Sequence, residues 1–184
     1  MKSKHILKPH DIVIPLKFIA LAGVHKTYRE LSEDIYISIG EISEGVQRLK
    51  YSKIISKKGS SFRISRKALF DFILHGIPYV FPAKKGAKKK GIKTSYSAYP
   101  LNKDIVENNE IIVWGHKEGN VIGYAIDPLY EKAPLAAKKD ERLYILLSLI
   151  DAIRLGNGRS YKIAKRYLEE IIIENNWKLK SEYE

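Results

Sequence analysis

The sequence predicts an α+β protein in two parts: helices and a basic β-hairpin in the N-terminal half, then a smaller part with a second β-hairpin and two helices. Three observations carry this. Two helix-start signatures stand in tandem, Thr27-Tyr-Arg-Glu30 and Ser38-Ile-Gly-Glu41, each offering a hydroxyl to the third helical amide and a Glu that can reach back. Two pairs of β-branched runs, each split by turn residues, read as hairpins. The charge is also uneven: residues 1–93 hold 20 Lys and Arg against 7 Asp and Glu, and residues 94–184 hold 13 against 14. All of the net charge of +12 thus sits in the first half, which favours a polyanionic partner there and another role for the rest.

Asp11 to Gly23 carries Ile12, Val13, Leu16, Ile19 and Ala20 in one broad stripe and predicts a first helix, distorted near Pro15. The helix opened by Thr27 runs to about Ile35 and buries Tyr28, Leu31 and Ile35. The one opened by Ser38 buries Ile42, Val46 and Leu49 and runs to Lys50, with only Tyr36 and Ile37 between the two. Two capped helices around so short a turn form a helix-turn-helix. Lys53–Lys58 and Phe62–Ser65 read as strands around Gly59-Ser60-Ser61. From Lys53 to Lys67 there are six basic residues and no acid, so this hairpin has the charge of a wing. A helix from Arg66 to His75 follows, burying Leu69, Phe70, Ile73 and Leu74.

Residues 83–100 include six lysines in ten positions (Lys84 to Lys93), with two glycines and no acid. Self-repulsion predicts an extended linker or loop between a domain at 1–82 and a C-terminal region at 101–184. In that region Glu110–Trp114 and Val121–Ile126 read as a hairpin around Lys117-Glu-Gly-Asn120. Asp140 opens a helix with Leu143, Leu146, Leu147, Ile150 and Ile153 inward, stopped by Gly156. A last helix, from about Ser160 to Asn175, buries Ile163, Tyr167, Ile171 and Ile172.

The run Thr27-Tyr-Arg-Glu-Leu-Ser-Glu-Asp, followed by Ile37-Ser-Ile-Gly-Glu-Ile-Ser-Glu-Gly-Val-Gln-Arg-Leu49, resembles the helix-turn-helix of bacterial winged-helix transcriptional regulators of the MarR-like group. The resemblance covers roughly Leu7 to Leu74. It implies a recognition helix at 38–50, a wing at 54–64 and a regulator that binds double-stranded DNA. The segment from Leu74 to Pro82 also looks like part of an uncharacterised set of bacterial regulators. The long flanking helices of the MarR-like group are not legible.

With Ile42, Val46 and Leu49 inward, Gly40, Ser43, Glu44, Gln47 and Arg48 are expected outward as groove-facing residues, with Ser38 at the helix start. Gln47 suits adenine and Arg48 guanine, Ser43 can serve either, and Glu44 suits cytosine. Lys57, Lys58 and Arg63 on the wing are expected to meet phosphate or the minor groove. Thr27 and Tyr28 are phosphate candidates at a helix start, and Lys84, Lys85, Lys88, Lys89 and Lys90 form a candidate basic arm. The expected protein is a repressor acting as a homodimer, since one module reads only a half-site. Two other readings stay open: an autoregulatory antitoxin-like or assembly protein whose C-terminal region holds a protein partner, and a lysine-driven non-specific nucleic-acid binder.

Enzyme chemistry has little support. There is no Cys, no Walker loop, no dinucleotide fingerprint and no GxSxG motif. The five histidines lack metal-ligand spacing, so neither a metal nor a cofactor is expected. A nuclease built from Asp104, Glu107, Glu110 and Asp127 remains an alternative, since spatial clusters need no local motif. Neither a signal peptide nor a membrane span is legible, and a cytoplasmic location is the expectation.

Overall fold

The computed structural model describes residues 5–24, 26–58, 61–105, 110–156 and 158–179, without the side chains of Lys57, Lys58, Ser61 and Phe62. The chain is a mixed α+β protein. A 3-10 turn at Pro9–Ile12 leads into α1 (Val13–Ala20), α2 (Tyr28–Ile35) and α3 (Ile39–Tyr51). Then come β1 (Ile55–Lys58), β2 (Ser61–Ile64), α4 (Arg66–His75) and the short α5 (Ile77–Val80). The second half runs β3 (Lys88–Lys93), a 3-10 turn at Ser95–Ser97, α6 (Leu101–Asp104), β4 (Ile112–Gly115), β5 (Val121–Ile126), α7 (Ala133–Lys139), α8 (Glu141–Leu155) and α9 (Gly158–Ile172).

Local chemistry explains the helix boundaries. Thr27 closes a full capping box: its hydroxyl accepts from the Glu30 amide at 3.3 Å, and Glu30 accepts from the Thr27 amide at 2.7 Å. Ser38 and Ser65 cap α3 and α4 in the same way without the returning side chain. Asp140 caps α8 through the Leu143 amide at 3.1 Å. Gly156 ends α8 in the left-handed region at φ 67°, where a Cβ would be strained.

Two expectations are corrected by the β-structure. The lysine-rich stretch at 83–100 is not a bare linker, because Lys88–Lys93 is a strand and Thr94 to Ala98 is buried. Nor do β4 and β5 form a hairpin. They run parallel, pairing Ile112 with Tyr124 and Trp114 with Ile126. Each is antiparallel to β3, which pairs Lys93 with Val113 and Lys88 with Tyr124. The three strands close on one another. Closure needs a near-naked crossing: a Cβ on Gly119 would lie 2.2 Å from the Gly91 carbonyl carbon, closer than any side chain allows. Backbone pairing along β3 offsets the lysine repulsion that argued for an unstructured stretch, and the exposed ammonium groups stay in water.

The buried apolar residues of both halves form one continuous core, so the regions expected as separate domains at 1–82 and 101–184 share an interior. Helix α8 is its axis: every residue from Ile145 to Arg154 is buried. It packs against α1, α4, α5, α7 and α9. Two buried ionic groups stitch the halves together. Lys17 on α1 reaches Asp34 on α2 at 2.9 Å and Asp140 before α8 at 2.7 Å. Asp151 on α8 accepts from the Trp114 indole at 2.6 Å, the Thr94 hydroxyl at 2.8 Å and Arg154 at 2.7 Å. Arg154 also donates to the Phe81 and Asp127 carbonyls at 2.8 and 3.0 Å. Among the described residues no helix is long and apolar enough to cross a membrane.

Candidate nucleic-acid interface

Helix α3 is inlaid on one side and open on the other. Ile42, Val46 and Leu49 are fully buried, as their spacing predicts. Gly40, Ser43, Glu44 and Gln47 are exposed, and Ser38 caps the helix at its exposed start. The face also includes two residues that the sequence reading left out, Ile39 at 49 % and Tyr51 at 65 % exposure. Tyr51 continues the row Ser43, Gln47 at the same i, i+4 interval and lies half a turn from the buried stripe. Ending the helix at Lys50 hid it. The His5 ring stacks on Tyr51 with centroids 4.1 Å apart.

Arg48 departs from expectation. It is 5 % exposed rather than outward, and its Nε and Nη2 donate to Asp11 Oδ2 and Oδ1 at 2.7 and 2.8 Å. This bidentate pair pushes the Arg48 pKa above its ordinary value, against the opposing pull of burial. Gly45 makes the approach possible, since a Cβ there would sit 2.7 Å from the Asp11 carboxylate. Glu41 does not turn back to Ser38. It accepts from Lys8 at 3.0 Å and meets His10 at 2.8 Å, and the Lys8 bond holds its carboxyl below the usual range, with His10 adding to it and partial burial opposing. The segment from Lys8 to Asp11 therefore grips α3 at two points, Glu41 and Arg48, about two turns apart.

The β1–β2 hairpin pairs Ile55 with Ile64 and Ser56 with Arg63. Ile54 and Ile55 are buried beneath it, while Arg63 is exposed. Lys57 and Lys58 occupy the end of β1, and where their side chains go lies outside the described residues. Arg63 shares a cleft of about 1040 Å³ with Lys26, Thr27, Tyr28, Arg66 and Lys67, and among the described residues no acidic side chain lines it. Three of its cations already have partners: Lys26 binds Asp34 at 2.6 Å, Lys67 binds Asp71 at 2.5 Å, and Arg66 donates to the Ile172 carbonyl at 2.7 Å. The Thr27 hydroxyl is engaged in its cap, and Tyr28 is half-buried against the core.

The remaining lysines are brought together elsewhere. Lys84, Lys85, Lys88, Lys89 and Lys90 are all exposed. Lys85 pairs with Glu110 and lies over the Tyr96 ring, and Lys88 lies 5.2 Å over Tyr124. The acids considered for a nuclease are dispersed: Asp104 is buried against Tyr167 and Arg166, Glu110 is taken by Lys85, and Glu107 lies outside the described residues. Among the described residues no three His, Asp or Glu side chains are grouped as metal ligands. Comparison with family models, with curated proteins and with solved structures finds no match for this chain.

Proposed function

We propose that this protein is a sequence-specific double-stranded DNA-binding regulator, a repressor that acts as a homodimer. In this reading α1 to α4 with the β1–β2 hairpin are a winged helix-turn-helix of MarR-like kind, and α3 enters the major groove. One observation carries the proposal. Gly40, Ser43, Glu44, Gln47 and Tyr51 form a single exposed row on a helix pinned elsewhere through Arg48 to Asp11 and through Glu41 to Lys8 and His10, beside a hairpin with basic residues and a cleft that no acid lines among the described residues.

Each residue then has a role set by its geometry. Gln47 pairs with adenine edges, Ser43 and Glu44 take polar edges nearby, and Gly40 lets backbone approach the groove floor. Tyr51 extends the contact toward sugar and phosphate. Arg63, with Lys57 and Lys58, supplies phosphate attraction with little sequence information. Arg48 holds the helix and reads no base. Selection of bound fragments from random duplex, followed by competition with unrelated duplex at fixed salt, tests the proposal. Enrichment of a palindromic site, with discrimination lost in Gln47→Ala, is the expected result. Equal affinity for every duplex would overturn it.

A further inference from the structure

We infer that strand β3 is a second phosphate-binding surface on the same duplex, so that the protein grips the DNA backbone beyond the segment its helix reads; this rests on the DNA-binding reading of α3. Lys88, Lys89 and Lys90 are consecutive and exposed, and among the described residues none of them pairs with a carboxylate. On an extended strand Lys88 and Lys90 point to one side, opposite Tyr124 and Ile122, with Lys89 to the other. Their Cα atoms are about 7 Å apart, while each DNA strand carries a phosphate per ~3.4 Å of helix axis. Two neighbouring or alternate phosphates are therefore within reach of long, flexible ammonium side chains.

What ties this surface to α3 is a short chain of contacts. Lys139, at the end of α7, lies 4.3 Å over the ring of Tyr36 in the α2–α3 turn, two residues before Ser38. Tyr130, just before α7, donates to the Ile35 carbonyl at 2.9 Å. The neighbouring Lys138 pairs with Glu118 in the β4–β5 connection. That connection returns to β3 through the His116 amide, which donates to the Lys90 carbonyl at 3.1 Å. The start of α3 and the lysine strand are thus joined by a continuous chain of contacts that runs through the exposed Lys138 and Lys139. A duplex is favoured over an acidic protein because Lys88 and Lys90 share one side of the strand about 7 Å apart, a match to a regular array of phosphates, with Lys89 adding charge at the other edge. A duplex that leaves the α3 groove past this end meets them.

The test measures affinity for random-sequence duplexes of about 12 and about 30 base pairs, roughly one and three helical turns. It compares wild type, the triple variant Lys88→Ala/Lys89→Ala/Lys90→Ala and the corresponding triple Arg variant. Wild type should gain affinity with length beyond the statistical effect of extra sites. The triple Ala variant should lose about tenfold on the longer duplex and flatten its log–log salt slope by about 2 to 3, with little change on the shorter one, and the Arg variant should restore both. Equal losses at both lengths, no loss at either, or a wild-type preference for single-stranded RNA or polyglutamate over duplex would overturn the inference. Because the probes carry no selected site, failure of base reading shows separately, as a Gln47→Ala variant with unchanged discrimination.

Discussion

Arg48 and Gln47 are chain neighbours on α3 with opposite assignments. Arg48 and Asp11 are both buried and joined by two short hydrogen bonds, so removing one partner strands the other's charge in the interior. Arg48→Ala is expected to cost about 3–5 kcal/mol, read as a lower urea midpoint. The paired change Asp11→Leu/Arg48→Met should recover most of that loss. Gln47→Ala, on the exposed face, should leave stability within about 0.5 kcal/mol while removing about 1–3 kcal/mol of discrimination between sites. Gly45→Ala tests the close approach from another direction: its Cβ meets the Asp11 carboxylate and Ile14, an overpacking worth about 1–3 kcal/mol. The apolar stripe showed which α3 residues face inward. It did not show the flank position of Arg48, whose burial depends on what another segment lays beside it.

At the level of elements, the holds on α3 and α2 are ionic and so depend on pH. The carboxyl of Glu41 is held low by Lys8 and His10, and that of Asp34 is held low by Lys26 and Lys17 although burial pushes it up. A carboxylate whose folded pKa is depressed adds stability above its unfolded pKa and loses it as pH falls through the folded value. Stability should therefore fall as pH drops from about 5 toward 2. Glu41→Gln should flatten the start of that acid limb in urea titrations followed by circular dichroism. The hairpin makes a separate prediction: Arg63→Ala should weaken binding to all duplexes alike and reduce the salt slope by about 1, leaving site preference intact. The helices were legible here because capping and apolar periodicity are local. The β4–β5 pairing was not, because two short apolar runs around a turn fit a hairpin equally well, and a third strand decided the matter.

Over the whole molecule, the shared core and the two buried ionic stitches predict one cooperative unit. Unfolding followed by Trp fluorescence and by far-ultraviolet circular dichroism should give coincident transitions. Residues 1–82 alone should show no cooperative transition, because α1 and α4 would lose α8 and α9 as packing partners. Asp151→Ala leaves Arg154 buried without its carboxylate and should cost about 3–5 kcal/mol. A separate, independently folding N-terminal part would appear instead as two transitions.

By itself the sequence determined the positions of α1 to α4, the paired strands β1 and β2, the capped helix α8 and its amphipathic neighbour α9, together with the charge imbalance between the two halves. Each of these is a short-range matter of caps, periodicity and composition. Only the tertiary structure decided that the lysine-rich stretch is a strand, that β4 and β5 run parallel, that Arg48 is a clasp and that Tyr51 joins the exposed row. Those outcomes depend on which distant backbone supplies a hydrogen-bond partner or a counter-charge, and neither is written in the residues themselves.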